Sequence, residues 1–91
     1  MDTMPSDADL KRLAWRAHHR GTKEADLLVG GFFDAHHEQW SAADRAIFAA
    51  MLDEQDLDIM AWAHGVCDPP ERFAGPIIEA LMRLDYIRIA K

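Results

Sequence analysis

Apolar residues recur at helical spacing in short blocks, and each block is closed by a capping residue, a glycine or a proline. That pattern directs a chain of 91 residues toward a bundle of short helices. Leu10, Leu13, Ala14 and Ala17 stand at i, i+3, i+4 and i+7, so they share one stripe of a helix. The stripe predicts a first helix from Asp7, a candidate N-cap, to a stop at Gly21. Thr22 is positioned to cap a second helix, with Glu24 in its first turn, where a carboxylate suits the positive end of the helix dipole. This second helix is expected to carry Leu27, Leu28, Phe32 and Ala35 inward. Its Gly30-Gly31 pair, each glycine costing about 1 kcal/mol relative to alanine in a helix interior, predicts a close packing contact.

Ser41-Ala42-Ala43-Asp44 is a capping box with Asp in place of Glu. It opens a third helix with a stripe of Ile47, Phe48, Met51 and Leu52. Asp56 or Asp58 is expected to cap a short fourth helix through Leu57, Met60, Ala61 and His64, ended by Gly65. Asp68-Pro69-Pro70 is a break, because proline is excluded from helix interiors and pushes the residue before it toward extended geometry. Pro76 suits the first turn of a fifth helix carrying Ile77, Ile78, Leu81 and Leu84. Tyr86-Ile87-Arg88-Ile89 alternates like a strand, but with no second strand to pair it reads as a helix end or packed tail. Short links between helices imply an all-α, compact five-helix antiparallel bundle. Residues 1–91 are expected to form one domain, with 1–6 flexible and Leu13, Leu28, Phe32, Phe48, Leu52 and Leu81 in the core.

Charge and motif content narrow the function. The formal net charge is −6, and it is unevenly spread. Residues 25–60 hold eight acidic side chains against the single base Arg45. Phosphate neutralisation supplies most nucleic-acid affinity, so this balance argues against a nucleic-acid partner. No apolar run reaches the roughly 20 residues needed to span a bilayer, so the chain is not expected to be membrane-embedded. The N-terminal run Met1-Asp2-Thr3-Met4-Pro5-Ser6-Asp7 resembles neither a secretory signal nor a transit peptide. The lone Cys67 cannot close an internal disulfide, and the expected location is cytoplasmic.

Nothing in the chain has the pattern of a catalytic or metal centre. His18-His19 and His36-His37 are adjacent pairs whose members point about 100° apart on a helix, so neither pair chelates one ion alone. There is no HExxH spacing, phosphate loop or GxSxG. Asp68 beside Cys67 disfavours a thiolate. The expectation is a non-enzyme with no catalytic, metal or cofactor-binding residues. What remains is the turn between the first two helices. Arg12, Arg16 and Arg20 are four apart and lead into Gly21, with Glu24 just beyond. From spacing alone this corner is either a charged docking surface or an ordinary capped turn with a surface ion pair worth at most about 1 kcal/mol.

The run from Trp15 to Leu27 resembles the signature of the succinate dehydrogenase flavinylation factors, the SdhE family. Its R-G-x-x-E followed by x-D is matched by Arg20, Gly21, Glu24 and Asp26. The resemblance continues through Phe32 to Asp56-Leu57-Asp58-Ile59-Met60-Ala61-Trp62, similar to a D-x-D-L-x-x-W pattern, with Gly65 following. Members often carry two arginines before the glycine, where this chain has His19-Arg20. From Pro69 onward no motif is carried over. The resemblance implies an assembly factor that binds the flavoprotein subunit of succinate dehydrogenase, or of fumarate reductase, and promotes covalent attachment of FAD. FAD would be the partner's cofactor, and none would be held stably here. Arg20, Gly21 and Glu24 would be interface residues flanked by Arg16 and Asp26, with Arg20 and Glu24 largely exposed and Trp62 in the core. The rival reading from another class is an acidic helical adaptor or regulatory module for an unrelated protein.

Overall fold

The computed structural model describes residues 7–86, so the readings of residues 1–6 and 87–89 fall outside it. Five α-helices follow one another: α1 Asp7–His18, α2 Lys23–His36, α3 Ala42–Met51, α4 Asp56–Ala63 and α5 Pro76–Arg83. Short 3-10 turns at His37–Gln39 and Glu71–Phe73 follow α2 and precede α5. No strand occurs among the described residues.

Local chemistry sets most helix ends. Thr22 has extended backbone, and its hydroxyl accepts from the Ala25 N–H, covering one of the orphan donors of a first turn. Ser41 and Asp44 close both hydrogen bonds of the capping box at 3.1 Å. Pro76 occupies the first turn of α5, where its missing N–H costs no helix bond. The fourth helix departs from expectation, because Gln55 is its N-cap and makes no side-chain cap bond. Asp56 lies one residue inside, and its carboxylate is engaged elsewhere.

A single core draws on all five helices. Phe32 sits at its centre, with the rings of Trp40, Phe48 and Tyr86 5.1–6.0 Å away, the range of favourable tilted and edge contacts. Leu28, Phe32, Phe48, Leu52, Leu81 and Trp62 are buried as expected. Leu13 is only half-buried and packs at the margin. Two inward assignments are corrected: Leu27 is 61% exposed and Ala35 is exposed. Each lies two residues, about 200° of helix, from a residue that does face the core: Val29 and Phe33 respectively.

The glycine pair has the predicted close contact. A Cβ on Gly30 would stand 2.3 Å from the His18 ring, so this glycine lets the end of α1 lie directly on α2. At the other end of the chain, Tyr86 donates its hydroxyl to the Leu81 carbonyl at 2.7 Å. Burial, with a smaller contribution from Asp85, pushes its phenol well above the ordinary tyrosine range.

Candidate functional site

The corner joining α1 to α2 is built from the residues the sequence singles out, and they divide into two roles. Gly21 has φ +115°, a conformation that side-chain-bearing residues rarely adopt. A Cβ there would meet nothing within 4 Å, so the glycine is needed for the turn rather than for room inside the protein. Asp26, in the first turn of α2, accepts a hydrogen bond from the Arg20 backbone N–H. Asp26 therefore clips the corner back onto the helix it introduces.

Arg20 does not project into solvent, a correction to the expectation of an exposed pair. Its side chain is 10% exposed and crosses to the loop between α3 and α4. There Nε donates to Asp56 Oδ1 at 2.7 Å, and Nη2 donates to the Glu54 carbonyl at 3.1 Å. The planar guanidinium suits this double attachment, which a lysine ammonium would not reproduce. Two further arginines grip the same loop. Arg16 reaches Asp53 at 2.6 Å, and Arg72 reaches Glu54 at 2.7 Å while lying over the Phe73 ring. Three guanidiniums, two from the end of α1 and its corner and one from the turn before α5, thus tie down Asp53, Glu54 and Asp56.

Glu24 behaves as expected and is exposed. Among the described residues its carboxylate has no hydrogen bond or ion pair. Lys23 beside it is also exposed. On the α1 side of the corner, His19 stacks on Trp15 with ring centroids 4.3 Å apart and donates from Nδ1 to the Trp15 carbonyl. Both residues are exposed, so the α1 side of the corner presents a flat aromatic pair. Sequence reasoning missed Asp53 and Glu54. The signal for them was the stripe Arg12, Arg16, Arg20, which had to find carboxylates somewhere.

The arrangement brings together Arg16, Arg20, Gly21 and Asp26 as a braced turn, with Glu24 standing free on it. Among the described residues no cluster of histidine, cysteine or acidic side chains could hold a metal ion. No described helix is long and apolar enough to cross a membrane. Fold and corner together define a small all-helical protein whose distinguishing feature is a rigid, charged turn.

Comparison with known proteins then gives the particular family. Residues 11–85 match the family described as flavinator of succinate dehydrogenase, and the chain belongs to that family. It is 33% identical over 78 residues to the FAD assembly factor SdhE of Acetobacter pasteurianus, covering 86% of this chain and 72% of the relative. It is 34% identical over 65 residues to the FAD assembly factor SdhE of Shewanella oneidensis, covering 69% and 78%. It is 33% identical over 67 residues to the mitochondrial succinate dehydrogenase assembly factor 2 of Schizosaccharomyces pombe, covering 74% and 48%. No solved structure matches the chain.

Proposed function

We propose that this chain binds the flavoprotein subunit of succinate dehydrogenase, or its fumarate reductase counterpart, and promotes covalent attachment of FAD without itself being an enzyme. Membership of the flavinator family supports the reading, and the braced corner supplies its physical basis. The flavin and the residue it becomes joined to belong to the partner, so no cofactor is held stably here. The helper acts by stabilising the partner conformation in which the reacting groups are aligned, an effect on populations and proximity rather than on bond making. We take residues 1–91 as one working unit in the cytoplasm, consistent with the lone exposed Cys67 thiol.

The observation that carries the proposal is the contrast between Arg20 and Glu24. A buried guanidinium fixed at two points holds the corner rigid, and a free carboxylate rides on it. Pre-ordering a charged group removes part of the entropy cost of docking. Glu24 is the direct contact, with Gly21 leaving the approach open. Arg20 and Asp26 position the turn, and Arg16 flanks it. The test is in-gel flavin fluorescence of the denatured flavoprotein subunit from cells with and without this protein. Fluorescence should fall in its absence and remain low when Glu24→Ala replaces the wild-type chain. Undiminished flavinylation without the protein would refute the proposal.

A further inference from the structure

A second feature lies away from the corner's tip. An open groove of about 370 Å³ runs between α1 and α3, lined by Leu10 and Leu13 on one wall and by Ala42, Ala46 and Ala49 on the other. The alanines stand at i, i+4 and i+7, so they form one shallow face of α3. Leu10 and Leu13 remain only half-buried against the core. Arg12, Arg16 and Arg45 rim this apolar trough with Asp9 as the sole carboxylate, although the chain as a whole is acidic.

Arg45 is the telling residue. Its Nε is buried and lacks a hydrogen-bond acceptor, the only such buried side-chain atom among the described residues. The side chain as a whole is only partly buried, but an unmet donor at a buried atom is unfavourable, because its desolvation is not compensated. Arg12 is held by Asp9 and Arg16 by Asp53, whereas no carboxylate among the described residues pairs with Arg45. Arg16 also links the groove to the loop that Arg20 grips, so the groove continues the surface of the corner.

We infer that this groove is a second docking site, taking an acidic, apolar-faced segment of the same flavoprotein, an assignment that rests on the function proposed above. A carboxylate of that segment pairs with the accessible end of the Arg45 guanidinium, and its apolar side chains lie on the alanine floor between Leu10 and Leu13. The basic rim favours such a segment over a neutral one through charge complementarity.

The experiment measures binding of the full chain to the isolated flavoprotein subunit by calorimetry, alongside thermal melts. Arg45→Met keeps the apolar stem and removes the orphan donor, so its melting temperature should equal or exceed that of the wild type. Its binding should nevertheless weaken about tenfold or more. Ala46→Glu, on the exposed floor, should weaken binding similarly by repelling the acidic segment, and light scattering should show the free chain unchanged. If both variants bind like the wild type while Glu24→Ala binds poorly, the groove inference falls and the corner reading stands. If the wild type does not bind the subunit at all, both fall. A dimer of the free chain that Ala46→Glu dissociates would assign the groove to a second copy and overturn the inference.

Discussion

Replacing Arg20 by alanine is the perturbation that most sharply separates a bracing residue from a contact residue. The change deletes the Nε bond to Asp56 and the Nη2 bond to the Glu54 carbonyl. It also leaves the Asp56 carboxylate, 22% exposed, without its counter-charge. Removing one partner of a fully buried pair costs about 3 to 5 kcal/mol, and an exposed pair contributes at most about 1 kcal/mol. Arg20 and Asp56 lie between these limits and nearer the buried one, so the loss should be about 2 to 3 kcal/mol. For a domain of this size that lowers the melting temperature by about 10 to 20 °C. Glu24→Ala should change stability by less than about 0.5 kcal/mol. Urea and thermal melts of the two variants, with an Arg20/Asp56 double-mutant cycle, measure the difference. The cycle should show a coupling of at least about 1 kcal/mol. An Arg20→Ala protein that melts like the wild type would refute the bracing role and return Arg20 to the docking surface.

Phe48→Ala should cost about 3 to 5 kcal/mol in urea melts, because the ring is fully buried among Phe32, Phe33 and Trp40. Gly21→Ala should lose about 1 to 2 kcal/mol through its positive φ alone, with unchanged neighbouring contacts in NMR spectra, since a Cβ there meets nothing. Gly30→Ala must displace the His18 ring. In a His18→Ala background the same change should instead stabilise by about 0.5 to 1 kcal/mol, a reversal that calorimetry can detect. Burial holds the folded-state pKa of Tyr86 above the ordinary tyrosine value of 10.0. Its contribution is therefore complete below about pH 10 and declines as the pH rises further, because the unfolded chain gives up the phenolic proton first. Tyr86→Phe should flatten that alkaline decline while costing about 1 kcal/mol at neutral pH for the lost bond to Leu81.

Features decided within four residues were legible in the chain itself. The Thr22 cap, the Ser41–Asp44 box, the break at Pro69-Pro70 and the start at Pro76 depend on backbone groups one turn away, so residue type and spacing suffice. The family signature Arg20-Gly21…Glu24…Asp26 was legible for the same reason, being a local turn motif. Which face of a helix turns inward was not. In α2, Leu27, Leu28, Val29, Phe32 and Phe33 are all apolar, and only the packing of the other helices around α2, with α1 over Gly30 and Trp40 and Phe48 against Phe33, selects Val29 and Phe33 over Leu27. The fate of Arg20 was equally hidden, since its partners Glu54 and Asp56 lie 34 and 36 residues further on. The sequence alone therefore determined how many helices form, most of their ends and where the charged corner falls. Tertiary structure decided that Arg20 is buried and Glu24 free, because a guanidinium's exposure depends on which distant carboxylates folding brings beside it.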